Sequence, residues 1–351
     1  MTPRIEISLS KIQENARVLV AQYGQKGISV TGVSKAVLGE PSIIRAILAG
    51  GITDIADSRI ENIETMRRAG LVARFILLRT PISRAESVVQ SADISLNTEM
   101  DTLKALSAQA KHQNKLHQVI IMVEMGDLRE GVIPTDLLAF VRHASTLTNL
   151  KVVGVGCNLA CYGGVEPDTT KMNELSRLAT MIESECGISL SIISGGNSAN
   201  YEWFQQSDEV GRVNNLRIGE SILLGCETLT RTPIPGLHLD AFQLVAEVIE
   251  AKEKPSLPEG NIGQDAFGNV PNFTDQGLML RLIMAIGRQD TCIEGLCPKG
   301  NFEILGASSD HLILDGKTKL VQIGDELGFS LDYAALLGAM TSPFVHKQLV
   351  L

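Results

Sequence analysis

Aromatic residues make up only 4% of this sequence of 351 residues, and no run of basic residues is interleaved with them. Acidic residues outnumber basic residues by 40 to 31, which leaves a net charge of -9. Binding to nucleic acid or to an anionic membrane surface requires a concentration of positive charge. The composition therefore excludes both as principal partners.

Long apolar runs and a leader sequence are also missing. No stretch approaches the roughly 20 apolar residues of a membrane-spanning helix. Residues 1–7 lack the charged and apolar regions of a signal peptide. We therefore expect a cytoplasmic protein.

Cysteine is too sparse to form a framework. The six cysteines are spread through the chain without a secretion signal, which favours free thiols over disulfides. Cys157 and Cys161 lie four residues apart in a strand-like run, which would place both on one face, but no second ligand pair is near them for a tetrahedral metal. The six histidines show no ligand spacing either. We expect no metal site.

Apolar strand-like runs alternate with amphipathic helical segments as far as about residue 229. About eight such pairs occur, the number and size expected of a closed barrel rather than an open sheet. Residues 230–236 form a linker rich in proline and glycine, and strand-like alternation dominates after it. The sequence predicts an α/β fold, with a (β/α)8 TIM-type barrel in residues 1–229 and a C-terminal β domain in residues 230–351.

Lys35 ends the buried, β-branched run of residues 28–35 and is followed by a short loop and a helix that opens with Pro41. It thus lies at the C-terminal end of a strand, where parallel α/β folds keep their chemistry. A desolvated lysine with a lowered pKa can form a Schiff base with a carbonyl or with pyridoxal phosphate. The simpler alternative is a lysine that caps a strand end in solvent.

A candidate phosphate site follows a later strand. Asn197 and Ser198 come after two glycines and offer backbone N–H groups and a hydroxyl at a helix start, although a plain turn would look the same. Gly219 can add another amide, and Arg217 can point into the barrel mouth. A mouth lysine, a phosphate cradle and a mouth arginine together indicate a pyridoxal phosphate site.

With these residues in place, the chain resembles the alanine racemase family, the barrel-type pyridoxal phosphate enzymes, over essentially its whole length, and most closely the ornithine/lysine racemase branch. The resemblance implies that Arg129, in the motif of residues 124–132, lies near the substrate carboxylate. It also implies that the β-domain loop with Ser309 and Asp310 reaches into the site of a partner subunit, and hence a homodimer. The cofactor-binding residues that it implies are Lys35, Asn197, Ser198, Arg217, Gly219 and Asn158.

Three positions depart from the family pattern. The tyrosine that serves as second base falls in a segment that here reads Arg288-Gln289-Asp290. The histidine that couples that tyrosine to the pyridine-binding arginine is replaced by Asn158. The phosphate-binding tyrosine four residues after the lysine is replaced by Gly39.

The second catalytic base is therefore open among Asp290, His311 and Cys161, with Tyr162 beside the last. Each has a simpler interpretation. Asp290 can bind a substrate amine, Asp310 can merely orient His311, and Cys161 can be a small core residue.

The resulting hypothesis is a pyridoxal phosphate-dependent amino acid racemase that inverts Cα by two-base proton transfer. The branch favours ornithine, with lysine or another basic amino acid next. Asp265, Asp290 and Asp310 could pair with a distal ammonium, or they could be turn residues. The rival hypotheses are a decarboxylase or aldolase on the same scaffold, and a pyridoxal phosphate carrier or regulator without turnover.

Overall fold

The computed structural model describes residues 1–317 and 320–350. In these ranges the strands are β1 (Arg4–Ser8), β2 (Ser29–Val33), β3 (Asp54–Asp57), β4 (Arg74–Leu77), β5 (Ile94–Asn97), β6 (His117–Met122), β7 (Leu150–Gly156), β8 (Ile192–Ser194), β9 (Asn215–Ile218), β10 (Phe242–Pro255), β11 (Leu278–Met284), β12 (Leu296–Pro298), β13 (Glu303–Ala307), β14 (Leu312–Asp315), β15 (Glu326–Leu331) and β16 (His346–Val350). The helices are α1 (Leu9–Gly24), α2 (Pro41–Ala49), α3 (Ile60–Arg68), α4 (Ala85–Ser91), α5 (Met100–His112), α6 (Pro134–Ala144), α7 (Thr169–Cys186), α8 (Tyr201–Gln206), α9 (Glu220–Leu224) and α10 (Tyr333–Thr341).

Strands β2 to β9 are parallel and close into a barrel, with β9 paired to β2, so the predicted (β/α)8 barrel is confirmed. Helices alternate with the strands because each apolar strand is followed by a segment of helical periodicity. Apolar side chains from the strands fill the barrel interior, among them Val33, Leu96 and Met122. The barrel is thus a packed core, and its site is expected at the C-terminal ends of the strands and in the loops that follow them.

The chain divides into two compact units, Ser10–Leu239 and a second unit formed by Met1–Leu9 with the chain from Asp240 onward. The division expected from composition places residues 1–9 with the barrel and the boundary after residue 229. In the structure β1 pairs antiparallel with β10 and parallel with β16, which puts it in the second unit. Backbone pairing between distant segments, rather than local composition, decides where this strand belongs.

The second unit is built on a sheet in which β10 is the central strand. Its first half pairs with β15 and its second half with β11, and the register shifts between Val248 and Glu250. The strand order is β12-β15-β10-β11-β14-β13, and β1 pairs with β10 on one side and with β16 on the other. None of the helices in the described part of the chain combines the length and apolar character needed to cross a bilayer.

Candidate active site

Lys35 follows the first barrel strand. Strand β2 ends at Val33, and residues Lys35–Val37 form a single 3-10 turn. The Ser34 hydroxyl donates to Asp57 Oδ2 at 2.6 Å and to the Ala56 carbonyl at 3.2 Å. This ties the turn to β3 and fixes where the lysine begins.

The Lys35 side chain is mostly buried, and burial is the main reason why its pKa is lowered from 10.5. The cations Arg129 and Arg217 lower the pKa further, whereas Cys161 and Asp57 oppose the shift. Within the described part of the chain the amine makes no hydrogen bond or ion pair. Such an amine is an available nucleophile and base.

A cavity of about 540 Å³ lies beside this amine within the barrel unit. Its lining includes apolar and polar side chains, of which Leu78, Leu96 and Met122 continue the barrel core. The lining residues are Lys35, Ser58, Leu78, Arg79, Thr80, Leu96, Asn97, Thr98, Glu99, Thr102, Met122, Arg129 and Glu130. An amine and a guanidinium on one cavity suit a small molecule with a carboxylate.

Arg129 is presented by a tight loop after β6. The loop closes because Glu124 N donates to the Val132 carbonyl at 3.0 Å and Val132 N to the Met122 carbonyl at 2.8 Å. At Gly131 a Cβ would lie 2.1 Å from Glu124 N, so only glycine fits. The Arg129 guanidinium pairs with Glu130 through two nitrogens. A substrate carboxylate at this arginine would take the place of Glu130.

Arg217 on β9 is buried at the end of the barrel. It donates to the Ser194 hydroxyl, to the Cys157 carbonyl at 2.7 Å and to Asn158 Oδ1 at 3.4 Å. Burial lowers its pKa, yet a guanidinium keeps its proton at neutral pH. Arg217 is therefore a fixed cation at the ends of strands β7 and β8.

Asn197 and Ser198 lie where the sequence places them, after β8. Asn197 Oδ1 accepts from Ala199 N at 2.7 Å, and its Nδ2 donates to Asn158 Oδ1 at 3.1 Å and to the Leu159 carbonyl at 2.8 Å. The Ser198 hydroxyl accepts from Ser221 N at 3.3 Å, which links it to the start of α9. The Asn197 side chain is therefore used for hydrogen bonds within the protein, whereas Ser198 lies between the start of its own 3-10 turn and the start of α9.

Asn158 Nδ2 is buried and has no hydrogen-bond partner within residues 1–317 and 320–350. An unpaired buried donor costs on the order of 1–3 kcal/mol. It lies next to Arg217 and Asn197, which both contact the oxygen of the same amide. A ligand that accepts a hydrogen bond here would remove this cost.

Cys161 lies in the loop after β7, and the interpretation that it shares a strand face with Cys157 was wrong. Strand β7 ends at Gly156, Cys157 is buried, and Cys161 is exposed. Its thiol accepts from Asn197 Nδ2 at 3.4 Å. Its charge would interact with those of Lys35, Arg129 and Arg217, which places it among the site residues rather than in the core.

Asp127 holds this loop, and sequence reasoning missed it. Its carboxylate accepts the backbone N–H groups of Cys161 (3.2 Å), Tyr162 (3.0 Å), Gly163 (3.1 Å) and Val165 (3.4 Å). Asp127 itself is 1% exposed. No local signal marks it, because its partners lie 34 to 38 residues further along the chain.

The family model "Alanine racemase, N-terminal domain" matches residues 7–226. The chain belongs to the alanine racemase family. An ornithine racemase from Acetoanaerobium sticklandii is 41% identical over 355 residues, covering 100% of both chains. A lysine racemase from Thermotoga maritima is 38% identical over 350 residues, covering 98% of both.

The solved structures that this member of the alanine racemase family resembles agree on the fold. The alanine racemase from D-cycloserine producing Streptomyces lavendulae superposes with a TM-score of 0.75 at 17% identity, covering 100% of this chain and 98% of that one. Such a likeness supports the barrel and the β domain. The resemblance to the family noted from the motifs is thereby confirmed.

Gly39 occupies the position at which the family pattern has a phosphate-binding tyrosine. The backbone there is left-handed, with φ +63°, and a Cβ would lie 3.1 Å from both Cβ and the carbonyl oxygen of Asn62. A tyrosine at this position would be strained and crowded. Any phosphate group in the site is therefore held without a side chain from residue 39.

Asp290 lies in the second unit and is 4% exposed. Its Oδ2 accepts from Gly287 N at 3.0 Å and its Oδ1 from the Ser342 hydroxyl at 3.4 Å. Both carboxylate oxygens are used within the unit. This is the contact pattern of a residue that shapes its own loop.

His311 pairs with Asp310, their Nδ1 and Oδ1 atoms being 2.9 Å apart, and both side chains are about half exposed. The hydroxyls of Ser308 and Ser309 also donate to Asp310 Oδ1, at 3.0 and 3.2 Å. The pair with His311 and these hydrogen bonds lower the pKa of Asp310. Asp265 accepts the N–H groups of Phe267 and Asn269 in its own turn, which is the turn-residue interpretation.

Proposed function

We propose that this member of the alanine racemase family is a pyridoxal phosphate-dependent racemase that interconverts the L and D forms of a basic amino acid, with ornithine as the first substrate to test. The observation that carries the proposal is the desolvated Lys35 amine, which has no partner among the described residues and lies on a cavity that Arg129 also lines. The full-length relatives named ornithine racemase and lysine racemase support the choice of substrate.

The residues present fit pyridoxal phosphate. Lys35 offers the amine for its aldehyde, and Ser198 with the start of α9 offers donors for its phosphate. The unpaired donor of Asn158 and the buried cation Arg217 could each donate a hydrogen bond to a polar atom of the cofactor ring. Pyridoxal phosphate, when bound, supplies an electron sink that makes the α-proton of a joined amino acid removable.

The chain's own residues then divide the work. Lys35 Nζ takes or returns the proton on one face of Cα, for which its lowered pKa is suited. Arg129 binds the substrate carboxylate in exchange for Glu130. Arg217, which keeps its proton at neutral pH, supplies a constant positive charge instead of a titrating group. We infer that this charge limits side reactions such as transamination.

The base for the other face remains a choice between Cys161 and His311 in this proposal. Cys161 is exposed and within the electrostatic reach of Lys35. His311 is half exposed and oriented by Asp310. Asp290 is a weaker candidate because both of its oxygens already accept hydrogen bonds.

We further propose a homodimer in which the loop with Ser309, Asp310 and His311 serves the site of the partner subunit. Mixing Lys35→Ala protein with a variant of that loop, such as His311→Asn, should then restore activity in the mixed dimers. If activity does not recover although mixed dimers have formed, the proposal of shared sites is contradicted. The cytoplasmic location stays a prediction.

The decisive assay supplies D- or L-ornithine to the purified, cofactor-loaded protein and follows the appearance of the other enantiomer. Lys35→Ala should abolish both the absorbance band of the lysine-bound cofactor and the interconversion. Exchange of the Cα hydrogen with deuterium is then followed for each enantiomer in Cys161→Ser and in His311→Asn. The variant that lacks the true base should lose exchange from one enantiomer and keep it from the other. A cofactor spectrum without turnover would indicate a carrier. Release of carbon dioxide would indicate a decarboxylase, and release of an aldehyde would indicate an aldolase.

A further inference from the structure

The cavity beside Lys35 contains acceptors that the proposed chemistry at Cα does not use. Asn97, the last residue of β5, lines the cavity and is 5% exposed. Glu99, two residues later, also lines it. Neither belongs to the lysine, phosphate or arginine motifs of the sequence.

The orientation of the Asn97 amide is fixed by its neighbours. Its Nδ2 donates to the Ser95 carbonyl and to the Ser95 hydroxyl, both at 3.0 Å. Because a carbonyl can only accept, the atom that faces it is the nitrogen. Asn97 Oδ1 is then left buried and without a hydrogen-bond partner within the described residues.

A second contact supports this orientation from behind. The Ser95 hydroxyl lies 2.8 Å from His117 Nε2, and burial lowers the pKa of His117 to about 4. The imidazole is therefore neutral at physiological pH, so Ser95 can donate to it while accepting from Asn97. The three side chains form a hydrogen-bonded chain that ends at the buried amide oxygen of Asn97, a residue of the cavity lining.

Glu99 supplies the charge. It precedes α5, but its side chain makes no capping hydrogen bond. Within residues 1–317 and 320–350 the carboxylate has no hydrogen bond or ion pair. It is exposed, so it stands at the solvent side of the cavity wall. The other acid of the lining, Glu130, pairs with Arg129 until a substrate carboxylate takes its place, so it is not a standing acceptor for a second charged group.

We propose that Asn97 and Glu99 select a substrate with a distal ammonium, the amide oxygen and the carboxylate both accepting from it. The inference rests on the proposed function and adds the residues that read the side chain. Leu78, Leu96 and Met122 provide the apolar surface for the methylene carbons between Cα and that ammonium. Arg79 also lines the cavity, and because it is exposed like Glu99, water screens the charges of both side chains and the positive charge of Arg79 offsets part of the attraction. These roles replace those considered for Asp265, Asp290 and Asp310, whose carboxylates are engaged within their own unit.

The test compares ornithine with norvaline, which has the same side-chain carbons and no terminal amine. The quantity measured is the ratio of kcat/KM for ornithine to kcat/KM for norvaline. Glu99→Gln keeps size and polarity and should lower that ratio about tenfold, the effect of one hydrogen bond to a charged group. Added salt should lower the ratio of the wild-type protein and have less effect on the variant.

Asp101→Asn is the matched control, because Asp101 lies on α5, is exposed, pairs with Lys104 and does not line the cavity. It should leave the ratio within twofold. Asn97→Ala should lower the ratio as well, and its folding is checked by thermal unfolding because the residue is buried. Calorimetric titration of the Lys35→Ala protein, with and without Glu99→Gln, should show the same loss of preference for ornithine without turnover.

An unchanged ratio in Glu99→Gln, with the wild-type protein racemising ornithine, would overturn this inference and leave the proposed function standing. A wild-type protein that racemises norvaline and not ornithine would also overturn it. A wild-type protein that inverts neither amino acid would refute the proposed function itself, and with it the inference.

Discussion

Replacing Asp127 by asparagine should loosen the loop that carries Cys161. Each carboxylate oxygen now accepts two backbone N–H groups, from Cys161 and Tyr162 at Oδ2 and from Gly163 and Val165 at Oδ1. An amide keeps one oxygen, so one pair of N–H groups loses its side-chain acceptor and faces a donor instead, although Gly163 N also donates to the Asp127 carbonyl at 3.1 Å and keeps that bond.

The size of the effect follows from these contacts. A hydrogen bond to a charged group contributes about 1.5–3 kcal/mol, and two are lost. The loop residues are largely exposed, so water can replace part of the loss. We therefore expect the free energy of unfolding to fall by about 2–4 kcal/mol. The substitution should accelerate amide hydrogen exchange at residues 161–163 much more than it accelerates exchange in the barrel strands.

Denaturant unfolding and hydrogen exchange of the cofactor-free protein provide the measurements. Asp136→Asn is the control, because that carboxylate is exposed and, among the described residues, accepts only from the neighbouring Thr135 hydroxyl, at 3.3 Å. It should change stability by less than about 0.5 kcal/mol. If Asp127→Asn behaves like this control and the loop amides exchange no faster, the carboxylate does not organise the loop as the hydrogen bonds indicate.

The remaining predictions concern one residue in each unit. Burial lowers the pKa of Lys35 below the 10.5 of an unfolded chain, so between the two pKa values the unfolded protein binds more protons and stability rises with pH. Lys35→Met should therefore stabilise the cofactor-free protein. The gain should be full below the pKa of the folded state and vanish near pH 10.5, as measured by denaturant unfolding across pH. A gain that does not depend on pH would contradict the lowered pKa of Lys35. Asp290→Asn should lower the free energy of unfolding by about 1–3 kcal/mol, equally with and without cofactor, because it removes an acceptor from Gly287 N or from the Ser342 hydroxyl. A loss of proton exchange without a loss of stability would make Asp290 a catalytic residue instead.

The barrel could be predicted from the sequence because its signals are local. Each strand is a short apolar run and each helix shows its own periodicity, so the count survives errors in any single element. Strand β1 escaped prediction for the opposite reason. Residues 4–8 carry little information about pairing with Phe242–Pro255 and His346–Val350, which lie far away in the chain.

The site shows the same division. Lys35 and Ser198 could be found because each follows a strand end with a recognisable neighbourhood. Asp127 and Asn97 could not, since what defines them is a contact with another segment or an atom left without a partner. The strand-like pattern around Cys161 is misleading because a count of four residues cannot reveal that the strand has already ended at Gly156.

The pairing of β1 with both β10 and β16 also bears on synthesis. Residues 4–8 leave the ribosome long before either pairing partner exists, whereas the segments of the barrel follow one another in translation order. The barrel can therefore begin to fold while the backbone N–H and C=O groups of β1 are still unpaired and exposed. Until Phe242–Pro255 emerges, residues 4–8 have no strand of their own chain to pair with, so this segment is open to pairing with another chain.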